Sequence, residues 1–509
     1  VLECGQDNPE PWEQEMILRY EHSGIKAIWS DEEKLARWDE VELAVIAARV
    51  GLAPGQVRPP VFNTIRAIVQ GRPVDIAAWL EREKETGHDL AAYVELRWEM
   101  LPAEVRKHFH EGMTSYDTED AAFVLALQES SNHVADAAVA LIEEMLALAK
   151  RYRYQPMLDR SHGQWAKLAS FGSRVLMWRA ELAEAHLALV QAQSACMRSR
   201  ISGTIGTYGG RLAPETEQKA LESLGFTPYY GAGQIAPRTL YLRIAHALEQ
   251  MALVLAKISI DFELGARSGC PLWQEPFGRA QKGSSAMPHK KNPITMEQTE
   301  GLAELAQGFV ATIAESAKTK ERRDIAQSCV ERTAWPDLFH TLMRMLGNVR
   351  RTLEGMRVYP ENMYREIDAS RGTYASEDVK SFLAERLAER GIGADVAYRI
   401  TQLACWNAYP APLHEPEGPA SLEQAQERLE LGRPLRAKDD GMGLETVILG
   451  AHLHPEPELR ATEGEVHGWN GLLLDLFPPL SASREELKKL FTIPYQLQGE
   501  TKLYEVFDV

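Results

Sequence analysis

Four polar segments interrupt an otherwise helix-rich chain, and their residue types suit acid–base work on a substrate with several carboxylates. The densest runs Gln281-Lys282-Gly283-Ser284-Ser285-Ala286-Met287-Pro288-His289-Lys290-Lys291-Asn292-Pro293. Its Gly-Ser-Ser turn carries two hydroxyls on flexible backbone. Lys290 and Asn292, two apart, can set a cation and an amide donor on one carboxylate, stabilising the negative charge that builds when a proton leaves the neighbouring carbon. A second segment, 108–117, holds His110 and the hydroxyl donors Thr114 and Ser115. A third, 160–164, holds Ser161 and His162. The fourth, 322–332, holds Arg323, Ser328 and Arg332. Gly87-His88-Asp89 is a weaker fifth. His88 and His162 belong to the residue type that titrates near neutrality, so either could protonate a leaving group. Together these groups fit β-elimination from a polycarboxylate. Each also has an ordinary use: a histidine satisfied in the fold, a Gly-Ser-Ser turn, a solvated lysine pair, an arginine run balanced by Glu321 and Asp324. Types and spacing alone leave the function open.

The elements that must position these groups are helices. Residues 16–110 read as short helices broken at Pro54, Pro59, Pro60, Pro73 and Pro102. Ala121–Tyr154, Phe171–Arg200, Arg238–Arg267 and Ile294–Lys320 are long, free of Pro, and carry apolar residues at three- and four-residue spacing, as in Leu141, Met145 and Leu148. Asp117 and Thr118 suit an N-cap. Alternating β-branched runs are nearly absent. The expectation is an all-α protein of three domains: 1–117, a bundle of long helices over 118–365, and a helical domain over 366–509. Residues 410–475, rich in Pro and Gly at Pro410–Pro419 and Pro434–Met442, read as an insertion. Such long apolar stripes predict a helical oligomer.

Composition narrows the partners. A net charge of −17 argues against a general nucleic-acid binder, which needs a basic face, but leaves room for a small anion held by local arginines. The five cysteines are scattered, and no pair has Cys-x-x-Cys spacing, so reduced thiols and a cytoplasmic setting are expected rather than disulfides or a zinc site. His452 and His454 lie in a Pro-rich loop context and not in a metal motif. No apolar run reaches the roughly 20 residues a membrane helix needs, and the acidic start, residues 1–15, is unlike a signal peptide.

The run Gly283-Ser284-Ser285-Ala286-Met287-Pro288-His289-Lys290-Lys291-Asn292-Pro293 resembles the signature of the aspartase/fumarase superfamily. The preceding Gln-Lys and the internal His289 are similar to its branch that acts on N-succinyl purines. Arg19-Tyr20 with Ile28-Trp29-Ser30, His88-Asp89, His110 with Thr114-Ser115, Ser161-His162-Gly163, the stretch 201–208, Gln234, and Arg323 through Arg332 all fall in the family order. The resemblance covers most of 16–365.

It implies the aspartase/fumarase-like fold and release of fumarate from adenylosuccinate and its imidazole-carboxamide counterpart. Ser284 would remove the Cβ proton, with Ser285 as the fallback. Lys290 and Asn292 would bind the carboxylate and its aci-carboxylate form. His162 would protonate the leaving nitrogen, with His88 beside it and Glu297 orienting it. Thr114 and Ser115 would hold the succinyl group, and His110, Ser161, Gln234 and Met287 would line the substrate. Arg19, Tyr20, Arg323, Ser328 and Arg332 would hold the phosphate. The resemblance implies no metal or organic cofactor, and a homotetramer whose active sites draw on three subunits. The chain departs from the family pattern at Tyr116, at 163–172, at Ala326-Gln327 and at Cys329. These positions leave open a sister lyase that releases fumarate from argininosuccinate or a small nitro- or amino-succinate.

Overall fold

The computed structural model describes residues 18–52, 56–408, 443–454, 461–476 and 481–507. The acidic start of the chain and the Pro-rich stretches Pro410–Pro419 and Pro434–Met442 lie outside the described residues. The described chain is mostly helical and divides into two compact units.

The first unit comprises residues 1–145, 178–264 and 275–356. Short helices, Ser23–Ile28, Asp31–Ala48, Pro59–Gly71, Ile76–Thr86 and Asp89–Met100, come first, punctuated by the prolines. Long helices follow. Ser115–Arg151, Phe171–Cys196, Leu242–Gly265 and Ile294–Ser316 match the four Pro-free segments to within a few residues. A fifth, Ala326–Gly355, was not separable from the sequence because Pro336 sits inside it. Proline there removes one backbone hydrogen bond. The helix persists because Trp335, Leu338, Phe339, Leu342, Met345, Leu346 and Val349 are all buried, each such side chain contributing about 1.5–3 kcal/mol on leaving water. Trp29, Phe123, Trp335 and Phe339 pack ring on ring at 6.0–6.4 Å, joining the first short helix to the Ser115–Arg151 and Ala326–Gly355 helices.

The second unit comprises residues 146–177, 265–274 and 357–509. Its core gathers Leu158, Leu168, Val379, Leu383, Ile400, Leu403, Val447 and Leu473. Two features differ from expectation. The segment around His162 is an antiparallel hairpin, Pro156–Ser161 paired with Gln164–Ser170. His162 and Gly163 form its two-residue turn, with φ of 54° and 74°, the left-handed pair that matches the twist of hairpin strands. Asn-Gly or Asp-Gly is the usual signal for such a turn, and His-Gly hides it. The stretch 410–475, expected as an insertion, holds among its described residues the helix Leu444–Gly450 and most of the helix Glu463–Leu476.

The start of the Ser115–Arg151 helix also differs. Asp117 and Thr118 lie within it instead of capping it. Asp117 reaches back to accept from the Thr114 N–H at 2.8 Å, the returning half of a capping box. The Thr118 hydroxyl donates to Glu42 at 2.7 Å.

Candidate active site

His88 sits where one helix must stop and another start. Gly87, at φ 62°, closes the Ile76–Thr86 helix with its N–H on the Glu83 carbonyl at 2.7 Å. His88 then takes an extended backbone and the Asp89–Met100 helix begins. The Trp79 indole holds the Asp89 carbonyl at 2.9 Å. Lys34 lies 4.9 Å over the rings of both Trp38 and Trp79 and reaches the Asp89 carboxylate at 3.4 Å, while Arg332 reaches it at 2.6 Å. Burial by itself would raise the Asp89 carboxyl, but the Lys34 and Arg332 cations outweigh it and hold the group below the usual carboxylate range. The charged Asp89 stands 3.4 Å from His88 Nδ1, and His88 Nε2 meets the Ser115 Oγ at 3.1 Å. Ser115, His88, Asp89 and Arg332 therefore form one connected chain.

A second group lies at the start of the Ala326–Gly355 helix. Arg323 stacks 3.7 Å from the centre of the Tyr116 ring and donates to Gln234 Oε1 at 2.9 Å. The Gln234 N–H bonds the Arg322 carbonyl at 3.1 Å. A Cβ on Gly233 would stand 2.5 Å from that same carbonyl, so glycine is what lets the two segments meet. Behind them, buried Arg200 contacts Asp117 at 2.8 Å and donates to the carbonyls of Gly203 and Gln234. Ser328 is nearly buried in the first turn of the helix.

Glu119, one helical turn beyond Ser115, is a member of this site that sequence reasoning missed. Its carboxyl is pushed up to about 8 by burial and then by Asp89, against the pull of Lys34, Arg332 and Arg323. A neutral carboxylic acid can donate a hydrogen bond, so at neutral pH it adds a donor to a cluster of charges. Because its folded value exceeds the unfolded one, near 4.5, the native state holds an extra proton between those values, and stability falls as pH rises through that window. Glu119→Gln should remove this loss, gaining about 3–4 kcal/mol at pH 8 relative to pH 5. Urea midpoints of both proteins at the two pH values check it.

The loop 281–293 is tied to itself. The Met287 N–H donates to Ser284 Oγ at 3.1 Å, the Asn292 amide donates to the Gly283 carbonyl at 3.1 Å, and the Lys290 N–H reaches the Met287 carbonyl at 3.0 Å. A Cβ on Gly283 would lie 1.8 Å from the Lys290 carbonyl, so the loop closes only around glycine. Ser285, Met287 and Lys290 are exposed, and Ser284 is partly covered. No hydrogen bond or ion pair among the described residues joins this loop to His88, Ser115 or Arg332. Glu297 is exposed in the first turn of the Ile294–Ser316 helix, whose first N–H groups are capped by buried Glu275 at 2.8 and 3.2 Å.

Other expected site residues stand elsewhere. His110 has φ 58° and is bound to buried Glu42 through Nδ1 at 2.7 Å and its own N–H at 3.2 Å. Burial pulls His110 down, but Glu42 beside it raises it further, and the net shift is upward. It secures the turn before the Ser115–Arg151 helix. Ser161 and His162 are exposed at the hairpin turn of the second unit. Arg19 and Tyr20 lie near Arg344, twelve residues along the Ala326–Gly355 helix from Arg332, a separation of about 18 Å at 1.5 Å per residue. No His/Cys/Asp/Glu cluster able to hold a metal occurs among the described residues, and no helix among them is long and apolar enough to cross a membrane.

Comparison with known proteins identifies the family and the fold. A family profile described as Lyase matches residues 66–308. Adenylosuccinate lyase of Thermotoga maritima is 34 % identical over 77 % of this chain and 89 % of its own length. Those of Bacillus subtilis, at 31 % over 77 % and 89 %, and Deinococcus radiodurans, at 30 % over 84 % and 98 %, are similar at nearly the same level. In fold, the chain matches a fumarate lyase of Mesorhizobium with a TM-score of 0.70, 19 % identity and 94 % and 95 % of the two chains covered. It matches the 3-carboxy-cis,cis-muconate lactonizing enzyme of Pseudomonas putida with a TM-score of 0.71, 20 % identity and 95 % and 96 % covered. The protein is a lyase of the fumarase superfamily, and it belongs to the adenylosuccinate lyase family.

Proposed function

We propose that the chain eliminates fumarate from an N-succinyl purine nucleotide, converting adenylosuccinate to AMP, with the imidazole-carboxamide counterpart as a second substrate. The observation that carries this reading is the run Ser115–His88–Asp89–Arg332, extended by Glu119, Arg323 and Gln234. It sets hydroxyl and imidazole groups suited to a succinyl moiety beside guanidiniums suited to a phosphate.

In the reaction, Ser284 takes the Cβ proton and the electron pair moves into the adjacent carboxylate, forming an aci-carboxylate that Lys290 stabilises. The C–N bond then breaks, His162 delivers a proton to the leaving nitrogen, and fumarate departs. A serine hydroxyl is a weak base. The Met287 N–H aimed at Ser284 Oγ favours the alkoxide, as a donor to the charged form does. Asn292 serves by fixing the loop through Gly283, and binds the carboxylate if that bond opens. Glu297 orients His162.

We infer that the working form is a homotetramer in which several subunits complete each site. Leu253, Ile260 and Leu264 are 42–50 % exposed along one long helix, with Leu187 and Val190 on another and Leu305 on a third. Such stripes are covered when helices of other copies pack on them. A sister lyase would release fumarate as well, so the leaving group is the part to test.

The direct experiment follows adenylosuccinate by ultraviolet absorbance. Wild type should release AMP and fumarate. Arg332→Met should lower kcat/KM by about a hundredfold, since a charged hydrogen bond lost from a bound phosphate costs about 1.5–3 kcal/mol and Asp89 is left without its closest cation. Release of fumarate from another succinate derivative, with adenylosuccinate untouched, would replace this reading with the sister lyase.

A further inference from the structure

Tyr116, one of the positions at which the chain departs from the family pattern, is buried in the first turn of the Ser115–Arg151 helix with 3 % of its surface exposed. The Arg323 guanidinium lies over its ring, 3.7 Å from the centre. We propose that Tyr116 is a positioning residue for the elimination: its ring face sets the Arg323 guanidinium in the orientation that grips the substrate's phosphate. The inference rests on the reading of Arg323 as a phosphate ligand.

Helical spacing fixes the ring. Tyr116, Asp120 and Phe123 follow one another at four- and three-residue steps, so they share one face of the helix. Buried Arg238 docks on that face, 2.7 Å from Asp120 and 5.8 and 5.7 Å from the Tyr116 and Phe123 ring centres. Glu331 also holds Arg238, accepting at 2.5 and 3.1 Å. The Tyr116 ring therefore packs against a guanidinium that two carboxylates have fixed.

Arg323 has a looser footing. It stands on the turn 320–325, ahead of the Ala326–Gly355 helix, where Glu321 takes φ 48° and both Arg322 and Ile325 are exposed. Asp324 ties the turn by accepting from the Lys320 and Ala326 N–H groups at 2.7 and 2.8 Å. A long side chain on such a turn has many rotamers to lose when it is immobilised. Two contacts restrict it: Tyr116 takes one face of the guanidinium, and Gln234 Oε1 accepts from its Nη1 at 2.9 Å. Burial, then Glu119 and Glu331, hold the Tyr116 phenol above its ordinary range against Arg323 and Arg238, so the ring is neutral and acts through its π face.

That face attracts a cation by its quadrupole and by stacking, more strongly where water is excluded. A guanidinium already held flat loses less freedom when the anion arrives. The phosphate is remote from the C–N bond that breaks, so the contribution is the same in ground and transition states and falls on KM.

The test combines steady-state kinetics on adenylosuccinate with calorimetric titration of the full chain with inorganic phosphate. Tyr116→Leu should raise KM about tenfold, leave kcat within about twofold, and weaken phosphate binding by a similar factor. Tyr116→Phe should restore both to within about twofold of wild type. Replacing Tyr116 by progressively fluorinated phenylalanines, which drain the π face at nearly constant size, should raise KM stepwise. This series also decides the matter if Tyr116→Leu does not fold. A flat fluorine series, or a loss in Tyr116→Leu confined to kcat, would show a packing role and overturn the proposal. Arg323→Met separates the two readings. If it abolishes phosphate binding while Tyr116→Leu does not weaken it, Arg323 stands as the phosphate ligand and the proposal falls. If Arg323→Met leaves phosphate affinity and KM unchanged, the phosphate reading falls and takes the proposal with it.

Discussion

Ser284→Ala is expected to lower kcat for fumarate release by about a thousandfold, the scale of removing a positioned proton acceptor. KM should change little, because the hydroxyl is asked to act in the transition state and not to hold the ground state. Folding should be unaffected. Ser284 lies on a partly exposed loop, and among the described residues its side chain takes one hydrogen bond, from the Met287 N–H. Steady-state fumarate absorbance and a thermal melt check both halves. If Ser284→Ala keeps more than a tenth of the activity while Ser285→Ala loses it, the base is the second serine of the pair.

The second large effect is on stability. Arg200→Met should destabilise the first unit by about 3–5 kcal/mol, the usual cost of leaving a buried charge without its partner. Arg200 and Asp117 are both fully buried and 2.8 Å apart. Burial raises the Asp117 carboxyl even with the guanidinium present, so without it the group must take up a proton or stay charged in an apolar setting. Because a raised acid favours the folded state at low pH, the variant should lose less at pH 5 than at pH 8. Arg200 also holds the carbonyls of Gly203 and Gln234. The variant should therefore misplace Gln234 and Arg323 and reduce turnover as well. Urea unfolding at the two pH values measures the first effect. Arg200→Met/Asp117→Asn should recover much of the stability; a double variant no more stable than the single would show that the cost lies in the carbonyl contacts.

Much of the candidate site was legible as residue types and little of it as contacts. His88, Ser115, Arg323 and Arg332 were each identifiable, since imidazole, hydroxyl and guanidinium declare their chemistry. Their convergence was not. It depends on Gly87 ending one helix, on Lys34 resting over two tryptophans, and on Asp89 sharing its carboxylate between Lys34 and Arg332. Glu119 was invisible because nothing in Glu-Asp-Ala-Ala marks a carboxyl that will be buried beside another. Arg19 and Tyr20 were grouped with Arg332 on motif order, yet in one chain they stand beside Arg344.

The sequence by itself determined the helical class, four of the long helices and the identity of the signature loop, because these rest on local quantities: apolar periodicity, the absence of proline, and glycine where backbone must approach backbone. Tertiary structure alone decided the helix that runs through Pro336, the His162–Gly163 hairpin turn, and the pairing of Asp117 with Arg200. The hairpin turn follows from the pairing of Pro156–Ser161 with Gln164–Ser170 across an exposed His-Gly. For the helix through Pro336 and for Asp117, burial and distant partners outweighed a local preference of about 1–3 kcal/mol. Those partners lie tens to hundreds of residues away, where no local pattern records them.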